Sequence, residues 1–408
     1  MQCRFCDNQD TKLFLKLGEM PLANSFLTLA QVKNIKEKRF PLDIYFCEEC
    51  GLVQIGHVIP PEDVFIDYIY FSSTSDTIHR HAAYLASNFK KRFSFNKNSL
   101  VIEIASNDGC VLEYFKKLGV KVLGIEPARN VAKVAVEKGI DTYIDFFSDK
   151  ISSEIEKNHG KADVILARHV FAHVPEIHGF IIGLKSLLKR DGVIAIEAPY
   201  LIDMVEKIEF DTVYHEHLSY LSLRPMARLF KSYGMELFEV EHFSIHGGSL
   251  IYFIGNEGCH EINPSVEQYL TNERKKGFDN IDVYNKFAEK TFLIKTKLMD
   301  LLKSLKKEGK TIAAYGAPAK GNTLLNFCGI STDIIDYIVD KSPYKQNLFT
   351  PGMHIPVLNP DRLLKNMPDY TLILAWNFAD EILEQQKSYL EKGGKFIIPV
   401  PEPHIIGG

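Results

Sequence analysis

Leu100-Val101-Ile102-Glu103-Ile104-Ala105-Ser106-Asn107-Asp108-Gly109 is a largely apolar strand that breaks into a small polar turn and leads into the helical stretch VLEYFKKLG. Such a turn lets backbone approach a ligand closely while amides at the start of the next helix face it. Outward from it, strand-like and helical segments alternate: VKVLGIEP, VAKVAVEKG, ADVILARHV, IIGLKSLLKRDG and VIAIEAPY. That alternation predicts an α/β fold with a parallel sheet covered on both faces.

The strand VKVLGIEP ends in Glu126 and Pro127, where an acidic side chain can reach both hydroxyls of a ribose. No G-x-G-x-x-G is present, so a dinucleotide is disfavoured. A nucleoside without phosphates, such as S-adenosylmethionine, suits the turn at Ala105, Ser106, Asn107 and Gly109 better. Asp145-Phe146-Phe147 then falls where an acidic and aromatic element would meet adenine. Singly, an acidic strand end is usually a solvated cap and paired Phe is usually core; the elements gain weight from their order at successive strand ends.

A chain of 408 residues, 46% apolar, exceeds the size at which one core usually keeps growing. Three domains are expected. Residues 1–70 look irregular, with short β-like runs such as Phe46 to Gly56, and form a small metal-stapled module. Residues 71–255 hold the sheet just described. Residues 256–408 begin with a polar helix or helix pair and continue as a second α/β unit from TIAAYGAPAKGNTLLNFCG to KFIIPV. Lys+Arg 48 against Asp+Glu 52 gives a net charge of -4, which offers no footprint for nucleic acid or an anionic membrane. No apolar run approaches the roughly 20 residues of a membrane span, and MQCRFCDNQD lacks the order of a signal peptide. A cytoplasmic monomer or weak oligomer is the expectation.

Cys3-x-x-Cys6 and Cys47-x-x-Cys50 form two knuckle-like pairs whose sulfurs can face one tetrahedral ion, and zinc is the expected occupant. Four protein ligands leave no open position, so the metal is structural. A redox dithiol would need one pair in a βαβ setting, not two in a loop-rich segment. Cys110, Cys259 and Cys328 are most simply structural thiols.

Val213-Tyr214-His215-Glu216-His217-Leu218-Ser219-Tyr220 packs two histidines, a carboxylate and two tyrosines into the stretch after VIAIEAPY, near the edge where open α/β sheets bind ligands. As a strand it places alternate side chains, His215 and His217, on one face. General acid/base work is a simpler assignment than metal binding. His173, in ARHVFAHVP, also ends a strand-like run, although taken alone it reads as a helix-terminal polar residue. YGAPAKGNT sits between a strand and a helix, so its amides and Lys320 suit a diphosphate. Tyr344, in DKSPYKQ, is a further candidate contact to a nucleotide.

Taken in order, the four cysteines, PLANSF (21–26), YIYFSS (68–73), EIASNDG, FAHVP, Tyr-His-Glu-His, HGGS (246–249) and YGAPAKGN (315–322) resemble the sugar C-methyltransferases of deoxysugar biosynthesis. These are the enzymes of the kind that methylate C-3 of a dTDP-linked keto sugar on the way to D-tetronitrose. The resemblance covers essentially the whole chain and is specific for the family, not for one sugar. It implies an N-terminal zinc domain, a central class I methyltransferase domain and a C-terminal Rossmann-like domain that binds a nucleotide sugar on a dTDP, CDP or GDP carrier. It places Tyr68, His173, Tyr214, Glu216 and His217 in the active site, and Ser72 and Arg168 near the cofactor. Arg168 stands where many relatives carry a small polar residue. Asn24, Tyr70, His246, Tyr315, Lys320 and Asn322 then fall to the substrate. The expected chemistry is removal of a proton beside the ketone by His217 with Tyr214, Glu216 orienting His217, then methyl transfer that leaves S-adenosylhomocysteine. An O-methyltransferase acting on a sugar hydroxyl and an inactive zinc-bearing scaffold are the alternatives.

Overall fold

The computed structural model describes residues 1–65, 71–244 and 247–407; Tyr68, Tyr70 and His246 lie outside the described residues. Strand Leu100–Ile104 is buried at every position. It pairs in parallel with Lys121–Ile125 on one side and Ala162–Arg168 on the other. Burial on both faces is why it is nearly all apolar. From one edge the sheet runs Thr142–Tyr143, Lys121–Ile125, Leu100–Ile104, Ala162–Arg168, Leu188–Pro199, Ser249–Asn256 and Met235–Phe243, with Ser249–Asn256 antiparallel to both its neighbours.

The N-terminal segment is more regular than its sequence suggests. Thr11–Met20 and Phe40–Cys47 pair antiparallel along nearly their whole length. Bulges between Leu13 and Leu15 and between Lys16 and Glu19 shift the alternation of side chains, so the period of two does not show in sequence. The expected β-like run from Phe46 to Gly56 is interrupted, because the chain turns at Cys47–Gly51 before resuming as Val53–Ile55. A fourth strand, Ser219–Tyr220, comes from the other end of the chemistry-bearing stretch and pairs with Val53–Gln54.

Asn263 and Asn280 cap the two linking helices, Pro264–Lys275 and Ile281–Lys307, with their side chains. The second packs Tyr284 between Phe14 and Phe46 of the N-terminal sheet. A six-stranded C-terminal sheet follows, in the order Val357–Leu358, Ile338–Val339, Ile312–Tyr315, Tyr370–Ile373, Lys395–Ile398 and His404–Ile406, parallel except at its last strand. One continuous apolar cluster runs through all three sheets. Among the described residues no helix is long and apolar enough to cross a membrane.

The sulfurs of Cys3, Cys6, Cys47 and Cys50 all lie within 4.8 Å of one another. Cys3 to Cys50 is 3.5 Å and Cys6 to Cys47 is 3.6 Å. Four sulfurs about 2.3 Å from a tetrahedral zinc stand roughly 3.8 Å apart, so the cluster fits that ion and leaves no fifth place. Cys47→Ser is expected to lose stoichiometric zinc by elemental analysis and to add an early thermal transition. Full retention of zinc in that variant would move the metal elsewhere.

Candidate active site

At the end of Leu100–Ile104 the chain enters left-handed conformation three times, at Ala105 (φ 55°), Asn107 (φ 51°) and Gly109 (φ 72°). This coils the turn tightly, with the Ser106 N–H on the Ile125 carbonyl and the Gly109 N–H on the Ser106 carbonyl, before helix Cys110–Lys117 begins. Gly124 lets the turn fit, since a Cβ there would stand 2.5 Å from the Ser106 hydroxyl oxygen. Glu126 accepts the Asn107 N–H on one oxygen and the Ala128 N–H on the other, each at 2.8 Å. Each oxygen keeps a second lone pair for a donor such as a ribose hydroxyl. Segment 72–74 closes over the turn, with the Ser72 N–H on the Asn107 side-chain oxygen at 2.9 Å and the Ser73 N–H on Asp108 at 3.1 Å. Asp145 is exposed and accepts the Phe146 N–H; Phe146 and Pro127 are half-buried.

The floor of this turn is acidic. Glu103, Asp108, Glu126 and Glu197 are all buried around it. Arg168 lies in this floor, its guanidinium engaged by Glu197 at 2.8 Å and Glu103 at 3.6 Å. Burial pushes the Glu103 carboxyl up to about 8 against that guanidinium. Burial also opposes the charge on Glu197, yet Arg168, His169 and His81 together hold its carboxyl well below the usual range. Glu103 is therefore largely neutral near pH 7, and Arg168 and Lys138 offset Glu197 and Asp108, so the carboxylate offered to a ligand at the turn is Glu126, which suits paired hydroxyl donors. The ribose of S-adenosylmethionine carries such a pair.

The stretch 213–218 is not a strand. Tyr214 and His217 are the first and last residues of a turn, closed by the His217 N–H on the Tyr214 carbonyl at 2.9 Å. Their rings therefore meet, with centroids 4.0 Å apart. The Tyr214 hydroxyl lies 2.8 Å from His217 Nε2, and His217 Nδ1 lies 2.8 Å from the Thr212 carbonyl. A carbonyl only accepts, so Nδ1 carries the proton and Nε2 accepts from the Tyr214 hydroxyl. The pairing expected from a strand, His215 beside His217, does not occur: His215 Nε2 turns to the Phe40 carbonyl at 3.2 Å. Glu216 does not orient His217 either; it accepts from the Asn24 amide at 2.7 Å and feels the charge of Lys345. His173 ends the short helix Phe171–His173 with its ring 5.0 Å from that of His217. Burial holds its imidazole down at about 4, so it is neutral near pH 7.

Of the expected substrate contacts, Asn24 joins this cluster through Glu216. Tyr344 is 57% exposed and stacks on Phe71. Tyr315 is packed within the C-terminal core with Tyr337, Val339 and Ile373, so it does not reach the cluster. Asn322 donates its amide N–H to the Ala23 carbonyl at 2.7 Å, while its buried side-chain oxygen has no protein partner among the described residues. Lys320 lies over the Trp376 ring at 3.9 Å and faces Asp211. Lys345, Asp211, Trp376, His169 and Glu197 were not singled out from sequence. Trp376, the chain's one tryptophan at the end of TLILAW, was the most visible signal.

Burial pushes the Glu216 carboxyl up to about 7 from its ordinary 4.5, with Asn24 and Lys345 opposing. Held protonated more tightly when folded, the group favours the folded state below pH 4.5, and that contribution is lost as pH rises through about 7. Glu216→Gln keeps the acceptor for Asn24 without the charge. It is expected to be more stable than wild type at pH 8, by up to about 3 kcal/mol, with the gap closing toward pH 4.5. Thermal midpoints across pH check this, and a pH-independent gap would contradict it.

Three families match the chain: a zinc binding domain over residues 3–65, a methyltransferase domain over 78–240 and a C-methyltransferase C-terminal domain over 244–401. C-methyltransferase NovU of Streptomyces niveus is 37% identical over 99% of this chain and 96% of its own length. A ubiquinone biosynthesis O-methyltransferase of Pelagibacter ubique is 29% identical, over 28% of this chain and 50% of that one. The solved magnesium protoporphyrin IX methyltransferase ChlM of Synechocystis PCC 6803 covers 44% of this chain with a TM-score of 0.34 and 13% identity. With a full-length relative at this identity, three matching families in order and a four-thiol cluster, the chain belongs to the S-adenosylmethionine-dependent C-methyltransferases that carry an N-terminal zinc-binding domain.

Proposed function

We propose that the acceptor is a nucleotide-linked keto sugar and that methylation falls on the carbon beside its ketone, C-3 next to a 4-keto group. The observation that carries this reading is the Tyr214–His217 pair, held as a proton acceptor with Nδ1 committed to the Thr212 carbonyl. A carbon next to a ketone is acidic because the charge left behind spreads onto oxygen, so a neutral imidazole can create a carbon nucleophile. The Tyr214 oxygen takes the proton from carbon as its own hydroxyl proton passes to His217 Nε2, and the Thr212 carbonyl supports the imidazolium that results. Neutral His173 has its one N–H on backbone carbonyl oxygen of the Glu216 and His169 segments, so it buttresses the His217 turn rather than donating to the enolate oxygen. The methyl donor supplies an electrophilic methyl on a sulfonium. Glu126 holds its ribose, Asp145 and Phe146 its adenine, and segment 72–74 with Asn107 covers it. Asn24, Glu216 and Lys345 bind the sugar nucleotide where the three domains meet, and Tyr344 with Phe71 offers a stacking platform for its base. The sequence resemblance supports the sugar nucleotide; the Glu126 carboxylate beside the coiled turn supports the donor.

The test is incubation with S-adenosylmethionine and a panel of dTDP-, CDP- and GDP-linked 4-keto sugars in deuterated water, read by mass spectrometry. A gain of one methyl with deuterium wash-in beside the ketone is expected. His217→Ala and Tyr214→Phe should each lower turnover by about a hundredfold or more, with cofactor affinity kept. Methyl on oxygen without carbon exchange would replace this reading with O-methylation, and full activity in both variants would remove the pair as base.

A further inference from the structure

In the C-terminal sheet the chain leaves Ile312–Tyr315 toward one edge and returns to build Tyr370–Ile373 on the other side of it. The crevice between the carboxyl ends of two such strands is where open α/β sheets ordinarily take a ligand. Lys320 stands on one lip, in the first turn of helix Ala319–Cys328, and Trp376 on the other. Here the crevice receives a piece of the central domain. Asp211, fully buried, accepts the Trp376 indole N–H at 2.7 Å and faces Lys320 at 3.9 Å. The ring of the preceding Phe210, also fully buried, packs against Phe327 of the same C-terminal helix at 5.3 Å.

Phe210–Thr212 is one short helical turn, and Thr212 is its last residue. Asp211 directly precedes Thr212 in that turn, and the Thr212 N–H is held by the Glu209 carbonyl at 3.1 Å, so anchoring Asp211 anchors the residue whose carbonyl holds His217 Nδ1. We infer that the switch-point crevice of the C-terminal domain is a socket for the Phe210–Thr212 turn, and that Trp376 and Asp211 are positioning residues that set the tautomer of His217 through the Thr212 carbonyl. The path is short: indole N–H to the Asp211 carboxylate, Asp211 along the chain to Thr212 within one helical turn, and the Thr212 carbonyl to the imidazole. Lys320 balances the buried charge from above the Trp376 ring. Rotation of the Thr212 carbonyl by a fraction of an ångström weakens the bond to Nδ1. The ring is then free to carry its proton on Nε2, where it cannot act as a base.

This inference rests on the proposed role of His217, but its first readout does not. Nitrogen-15 spectra of the full-length zinc protein, labelled at histidine and assigned with His217→Asn, report which ring nitrogen carries the proton. Wild type is expected to show His217 as a single Nδ1–H form. Trp376→Phe, which keeps a ring and removes only the donor, and Asp211→Ala should both move the His217 signals toward averaged values. Turnover should fall by on the order of ten- to a hundredfold, with zinc content and cofactor affinity kept. Unchanged His217 signals in Trp376→Phe would overturn the inference, even if Asp211→Ala fails to fold. A shifted tautomer in Trp376→Phe together with full activity in His217→Ala would leave the socket standing and remove only the base.

Discussion

The bond between His217 Nδ1 and the Thr212 carbonyl is the constraint on which the chemistry turns. It assigns the imidazole proton to one nitrogen, leaves the other as acceptor, and directs the Tyr214 hydroxyl onto that acceptor. Everything around it serves geometry rather than reactivity. The turn Tyr214–His217 brings the two rings face to face, the Leu218 N–H on the Ala172 carbonyl ties the turn to the His173 segment, and the C-terminal domain grips Phe210 and Asp211 just upstream. As the proposed base, the pair has no reactive residue of unusual type. Its competence is a matter of tautomer and aim.

Division of labour follows from how each domain ends. The central sheet gives the donor a coiled turn with the Glu126 carboxylate beside it. The C-terminal sheet has the architecture of a nucleotide binder, but its crevice holds Asp211 instead. The cluster of Asn24, Glu216 and Lys345 then draws one polar group from each domain into a single place. Burial there leaves Glu216 near the middle of the physiological range and costs stability when it ionises, as groups retained for binding often do.

The sequence was most legible where the signal was local. The strand and turn at Leu100–Gly109, the paired cysteines and the dense stretch 213–220 each announce themselves within a few residues. What escaped was set by pairing at a distance. Glu216 lies one residue from His217 in sequence, yet its partner is Asn24, 192 positions away. Tyr214 and His217 meet because of a turn whose i to i+3 spacing competes with the i to i+2 spacing of a strand, and Val213–Tyr220 is too short for periodicity to choose. Lys320 looked like an anion ligand on the strength of its helix start. Its actual neighbour, Asp211, lies 109 positions upstream, about a quarter of the chain away. Strands Thr11–Met20 and Phe40–Cys47 were hidden by bulges that break their alternation.

Strand Ser219–Tyr220 adds a consequence of another kind. It is the outermost strand of a sheet whose other three lie within the first 55 residues. While the chain is being made, Val53–Ile55 is an apolar edge with unpaired backbone groups until residue 220 has emerged from the ribosome. An open edge of that sort invites pairing with a neighbouring chain. Val53–Ile55 is only three residues long and follows the turn at Cys47–Gly51, so the edge it offers before residue 220 arrives is short, which is one way sheets blunt such an edge.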